Sequence, residues 1–199
     1  MKISLILGHP NPASFCHAIA ATATRTLQAL AHEVTVHDLY AERFDPLMTA
    51  DEVRTRVSTD ALVERHCAEL AAAEGIVIVH PSWWGMPPAI LKGWIDRVIR
   101  PGVAYELQAD SSGARTVHVG KLGARAALVL NTSDLPPEVE RTKFGDTLGV
   151  VWKTYIGGLS GIAELRRISF GVMGTSTTEQ RAQWLRETEH TVAALFARA

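Results

Sequence analysis

The sequence predicts an α/β fold: a doubly wound, five-stranded parallel sheet with helices on both faces. Three observations point to it. Five short apolar runs alternate with longer segments of helical periodicity. Three of those runs are nearly unbroken apolar stretches, as strands covered on both faces require. The 199 residues are 47% apolar and 21% charged, which suits a single domain, 1–199, with a sizeable core.

The elements follow in order. Residues 3–7 form the first run. A helix is expected over about 15–31, with Ile19, Ala23, Leu27 and Leu30 on one face. The second run is 34–36, extending to about 39. Val63, Cys67 and Leu70 share a helix face before the third run, 75–79. Pro87 and Pro88 suit the start of the next helix, where a missing N–H costs nothing. Ile90, Leu91, Trp94, Ile95, Val98 and Ile99 give that helix a wide apolar stripe, with Lys92, Asp96 and Arg97 opposite. The stretch 101–123, rich in Gly, Ser and Asp, reads as an excursion such as a small hairpin. Runs four and five are 126–130 and 168–173. Leu185, Val192, Leu195 and Phe196 mark a final helix. Ser176 and Thr177, each followed three residues later by Glu179 or Gln180, offer two capping-box registers for its start. Right-handed crossovers leave few topologies, and the strand order expected is 2-1-3-4-5.

Composition excludes several classes. Twenty Lys plus Arg balance 21 Asp plus Glu, so little net field exists to attract nucleic acid or an anionic membrane. Two cysteines are too few for a disulfide framework, and no histidine or cysteine spacing suggests a metal site. No apolar run approaches the roughly 20 residues of a membrane helix. The stretch after Lys2 is too short for a signal peptide. A soluble, cytoplasmic protein without membrane insertion is expected.

In such sheets ligands bind beyond the carboxyl ends of the strands, where the strand order reverses. That places the chemistry at the loops 8–15 and 80–88, with 131–137 beside them. The first loop, Gly8-His9-Pro10-Asn11-Pro12-Ala13-Ser14-Phe15, lacks both G-x-G-x-x-G and G-x-x-x-x-G-K-[ST]. Ser14 stands beside the first turn of a helix, where free N–H groups and the dipole favour a phosphate; it would equally serve as a helix cap. His9 is either a further donor or structural. The second loop carries Pro81, Ser82, Trp83, Trp84 and Gly85 before Met86, Pro87 and Pro88. Trp offers a stacking face and Gly a close backbone approach. Either both indoles serve a planar ligand or they plug the sheet end, and one of the two is expected to plug it. Asn131, Thr132, Ser133 and Asp134 could hydrogen-bond a ring edge or merely turn the chain into the next helix. Together the loops propose a phosphate at one end and a planar ring at the other, which flavin mononucleotide (FMN) satisfies.

At these loops the chain resembles the NAD(P)H:quinone oxidoreductase family. Residues 8–15 resemble its flavin-phosphate loop. Residues 81–98, Pro-Ser-Trp-Trp-Gly-Met-Pro-Pro-Ala-Ile-Leu-Lys-Gly-Trp-Ile-Asp-Arg-Val, resemble its longer and more specific second signature. The resemblance implies a flavodoxin-like homodimer using FMN, or alternatively FAD, with NAD(P)H as donor and a quinone-like acceptor reduced in ping-pong order. It implies His9, Ser14, Phe15, Cys16 and His17 at the flavin phosphate. Pro81, Ser82, Trp83, Trp84 and Gly85 would lie along the ring, with Asn131, Thr132 and Ser133 beside it. Cys16 falls where relatives often carry Asn, and its place in a first helical turn would favour a lowered pKa unless it is simply packed. No side-chain nucleophile is required, and no catalytic residue is assigned.

The chain also departs from that family. The quinone reductases it resembles carry Thr-Thr-Gly-Gly after strand four and then a Tyr and a His near the substrate; here Asn131-Thr132-Ser133-Asp134 follows, and 135–146 contain neither Tyr nor His. The departure motivates a second expectation, a flavin-binding ancillary or regulatory subunit of a membrane transport system. A flavin-free hydrolase using Ser14 or Cys16 is a weaker third, since no G-x-S-x-G elbow or base is evident.

Overall fold

A computed structural model describes residues 1–112 and 116–197. Positions 113–115 of the expected excursion, and 198–199 of the expected domain, lie outside the described residues. The chain forms β1 (Lys2–Leu7), α1 (Phe15–Ala29), β2 (Glu33–Asp38), α2 (Ala50–Thr55), α3 (Ala61–Ala72), β3 (Gly75–Pro81) and α4 (Ala89–Val98). It continues with β4 (Tyr105–Ala109), β5 (Thr116–Gly120), β6 (Ala126–Ser133) and α5 (Pro137–Phe144). Then α6 (Thr147–Gly149) runs through a π-helical stretch (Val150–Gly157) into α7 (Gly158–Ser160). The described chain closes with β7 (Glu164–Gly171), a 3-10 turn (Met173–Thr175) and α8 (Thr178–Phe196).

Five strands build one parallel sheet in the order β2-β1-β3-β6-β7, the flavodoxin-like 2-1-3-4-5 topology expected. Every residue of β3 and β6 is buried, which accounts for their unbroken apolar spelling. Alternate residues feed opposite cores. Ile76, Ile78, Ala127 and Val129 meet Trp94 of α4 and Trp152 of the π-helical stretch. Val77, Val79, Leu128 and Leu130 meet Ile19, Ala23 and Leu27 of α1 and Val192 and Phe196 of α8. The excursion contains a hairpin, β4 antiparallel to β5, separate from the main sheet.

The boundaries differ where polarity hides them. β6 runs on through Asn131, Thr132 and Ser133, which ladder against Ser169, Phe170 and Gly171; these three are strand, not loop. β7 starts at Glu164 and ends at Gly171, earlier at both ends than 168–173. It is an edge strand, and its leading Glu164, Arg166 and Arg167 erase the apolar signature. α1 stops at Ala29, with Ala31 at φ +58 and its N–H on the Gln28 carbonyl. At the start of α8 only one of the two registers is used: Thr177 Oγ accepts from the Gln180 amide, while Ser176 Oγ accepts from Arg181 Nε.

Two short polar helices escape the periodicity altogether. α2 has no apolar stripe; it is held by a capping box between Thr49 and Glu52 and by the buried Arg97–Glu52 ion pair at 2.7 Å. α5, rich in charge, starts on Pro137 at its first position and ends on Gly145 at φ +75.

Candidate functional site

A solvent-open cleft of about 190 Å³ sits beyond the carboxyl ends of β1, β3 and β6. Its wall includes His9, Phe15 and Cys16 from the first loop and helix, Pro81, Ser82 and Trp83 from the second loop, and Thr132 and Ser133 from β6. Eight of the thirteen predicted site residues thus converge on one concavity at the switch point. Asp134, read from the sequence as part of the third loop, also lines it, as does Met173, which the sequence did not single out. Met173 follows the end of β7, so the rule that ligands collect at strand ends could have found it.

Ser14 and His17 flank the cleft without lining it. Ser14 N-caps α1: its Oγ accepts from the His17 amide at 3.3 Å and lies 3.0 Å from His17 Nδ1. His17 Nε2 in turn lies 3.1 Å from Asp38 Oδ2. The amides of Phe15 and Cys16, first in the helix, have no carbonyl to reach within it. His9 accepts from the Asn11 amide and sits edge-on to His17, with ring centroids 6.3 Å apart. Burial holds its pKa below the usual histidine value. Hydroxyl, imidazoles and helix-end amides therefore gather at one end of the cleft.

Cys16 is a packed thiol. Burial pushes it up to about 11, and its 3.4 Å contact with Thr132 Oγ1 offsets this only in part. Of the two readings the sequence leaves open for Cys16, the packed thiol is the one the structure favours: desolvation outweighs the dipole. Burial and a raised pKa leave Cys16 without an activated thiolate, and Ser14 Oγ serves as the cap of α1.

The second loop is a tight turn. The Trp83 amide donates to the Met86 carbonyl and the Met86 amide to the Trp83 carbonyl, both at 3.0 Å. Trp84 and Gly85 between them have φ +55 and +70, the pair of positive angles of a type I′ turn. This geometry aims both indoles outward. Trp83 is 43% exposed and its ring lies 6.0 Å from His9; Trp84 is 102% exposed and touches no core. The expectation that one of them plugs the sheet end is corrected, because the π-helical stretch fills that space with Trp152 instead. Trp84 and Gly85 do not line the cleft. The Gly85 carbonyl accepts from Thr147 Oγ1 at 2.8 Å.

Asn131 is placed elsewhere too. It is fully buried, with Nδ2 donating to Ser169 Oγ at 2.9 Å and Oδ1 accepting from Arg167 at 2.8 Å. These bonds hold it against β7 and Arg167, while Thr132 and Ser133 after it line the cleft. Arg167 also pairs with Asp146, and Glu140 lies 3.7 Å from it. Ser133 Oγ accepts from the Leu135 amide, the turn anticipated for that segment. Asp134 Oδ1 accepts from the Gly174 amide at 2.8 Å, tying together the segments that follow β6 and β7.

A second cluster lies away from the cleft. Ligand-type atoms of His37, Glu42 and His66 lie within 4.8 Å of one another. The Trp94 indole donates to His66 Nδ1 at 2.9 Å, so the neutral ring carries its proton on Nε2, 3.1 Å from Glu42. That neutral tautomer turns an N–H toward Glu42, whereas a metal would need Nε2 bare. Burial and the neighbouring His37 lower the His66 pKa to about 3.

Among curated proteins, the chain is 32% identical over 126 residues to NAD(P)H dehydrogenase [quinone] 1 of Cavia porcellus, covering 53% of this chain and 45% of that protein. It is 28% identical over 210 residues to ribosyldihydronicotinamide dehydrogenase [quinone] of Mus musculus, covering 92% of this chain and 88% of that protein. It superposes on the crystal structure of Smu.1420 from Streptococcus mutans UA159 with a TM-score of 0.85 at 28% identity, covering 98% of this chain and all of the other. The chain spans about half the length of several curated relatives it matches, from 45% to 57%. The resemblance read from residues 8–15 and 81–98 is thus borne out. Residues 1–192 match the family described as flavodoxin-like fold, and together with a sheet wound in that order they show that the chain belongs to it.

Proposed function

We propose that this chain is a flavin-dependent NAD(P)H oxidoreductase acting on a quinone or similar planar acceptor. The observation that carries the reading is the cleft at the switch point, which joins an anion-favouring helix end to an aromatic rim. His9, Ser14, His17 and the amides of Phe15 and Cys16 suit the flavin phosphate, donors facing an anion at the end of a 15-residue helix. Pro81, Ser82, Trp83, Thr132 and Ser133 suit the ring edge, apolar faces beside small hydroxyls. The flavin, when bound, supplies two-electron chemistry between NAD(P)H and the acceptor in ping-pong order. The protein's own part is to hold the ring and hydrogen-bond its polar edge. We favour FMN over FAD.

The chain would act as one flavin-binding domain and as a homodimer. Trp84, Val150 and Tyr155, exposed on the turn and on the segment Thr147 ties to it, support a partner there. Two free buried thiols, Cys16 and Cys67, suit a reducing, cytoplasmic setting. Among the described residues no helix is long and apolar enough to cross a membrane. A flavin-binding ancillary subunit is the second reading, favoured by one observation: the Asp134 carboxylate lines the cleft, where it would oppose negative charge on a reduced ring.

The test is the visible spectrum of the purified protein after FMN or FAD is added, followed by NAD(P)H oxidation with menadione. Flavin bands and rapid turnover support the oxidoreductase. Bound flavin with negligible turnover supports the ancillary reading. Failure to take up either flavin sinks both.

A further inference from the structure

We infer that His80 is a positioning residue of the cleft, holding the Pro81–Ser82 peptide from behind as one fixed neutral tautomer. The inference rests on the flavin reading and extends it to a residue outside the cleft wall.

The tautomer follows from donors alone. His80 is fully buried at the end of β3. The Trp152 indole has a single N–H and can only donate, and it donates to His80 Nε2 at 3.0 Å. Nε2 is therefore bare, and the ring proton sits on Nδ1. Nδ1 stands 2.8 Å from the Pro81 carbonyl oxygen and donates to it. Protonation of the ring would force Nε2–H against the indole N–H. Burial first, and Arg167 after it, also disfavour the cation and lower the pKa to about 4. Arg167 is itself paired with Asp146 and Glu140.

The peptide so held is part of the cleft. Pro81 and Ser82 both line it. The Pro81 carbonyl is taken by His80, and the Ser82 amide donates to the Thr132 carbonyl at 2.6 Å. Both polar groups of that one peptide are thus engaged, and neither is free to rotate toward a ligand. The far end of the same loop is held at Gly85 by Thr147. Thr147 and Trp152 belong to one segment, so the loop is clamped at two points by one neighbour. A surface pre-shaped in this way binds without the cost of ordering it.

The test uses the full chain with FMN as probe. In His80→Asn the amide N–H replaces Nδ1–H and keeps the bond to Pro81. In His80→Gln the amide reaches toward Trp152 and abandons Pro81. The expected result is a split: Asn stays within about threefold of the parent dissociation constant, while Gln weakens FMN by about tenfold, one hydrogen bond's worth. The bound flavin's visible circular dichroism should change in Gln and not in Asn. Equal effects of the two substitutions, or none, would overturn the inference, since packing alone does not distinguish them. Should either variant not fold, imidazole ¹⁵N shifts of the parent protein decide instead. They should show protonated Nδ1 and bare Nε2 from pH 5 to 8; the opposite tautomer, or titration in that range, overturns it. A parent protein that binds no FMN defeats the flavin reading, while the ¹⁵N result still reports on His80.

Discussion

Trp84 occupies a backbone conformation that costs an L-residue roughly 1–2 kcal/mol, with its side chain wholly in solvent. Asn tolerates that conformation. Trp84→Asn should therefore raise the melting temperature by a few degrees, while lowering the dimer fraction by light scattering if the indole meets a second copy. Gly93 is the opposite case. A Cβ there would lie 2.2 Å from the Pro46 carbonyl oxygen, which is backbone and cannot swing aside. Gly93→Ala should be severely destabilising in urea titrations, although helix propensity alone favours Ala. At this scale the sequence is legible where residue type names a job. Ser14 announces a cap, and Lys92 and Asp96 announce their i, i+4 pair, formed at 2.6 Å. The direction of a side chain is less legible. Asn131 and Thr132 are adjacent polar residues, and only the distant partners Arg167 and Ser169, which take Asn131, tell which one meets the cleft.

α1 depends on its first turn. Ser14→Ala removes the cap and should cost about 1 kcal/mol by denaturant midpoint; under the flavin reading it also weakens FMN by more than it weakens riboflavin, which has no phosphate. α2 depends on a different device. Arg97 is buried and bonds Glu52, the Asp45 carbonyl and Ser58. Burial would raise the Glu52 pKa, but the bonds from Arg97 and Ser58 hold it down to about 2. Arg97→Met strands that carboxylate, and the loss should be about 3–5 kcal/mol. Neither α2 nor the start of β7 could be read from periodicity. Both are held by long-range ion pairs or edge ladders, and those partners lie far away along the chain. The central strands, α1 and α4 were legible because burial on a regular face leaves a period in the spelling.

For the whole molecule, acid should act in two stages. His66 and His80 keep folded pKa values of about 3 and about 4, against about 6.5 unfolded. Below pH 6.5 the unfolded chain takes up protons that the folded one refuses, so stability is full above that value and falls toward pH 4. The slope is about 1.4 kcal/mol per pH unit for His80. Glu52 adds a second loss, present above about pH 4.5 and lost as pH falls toward 2. Urea midpoints between pH 5 and 7 check the first stage, and His80→Asn should flatten it. Fold topology was legible at this scale because five buried strands and right-handed crossovers admit few arrangements. The clamp behind the cleft was not, since Trp152 lies in a segment without helical regularity in its spelling.

That clamp has a consequence for slow motion. Because Thr147 grips the Trp83–Met86 turn at Gly85 and Trp152 grips His80, which in turn holds the Pro81 carbonyl, neither partner can open alone. Deuterium uptake at the amides of 82–86 and of 147–157 should advance with a common rate constant, as a single breathing unit, ahead of the neighbouring sheet.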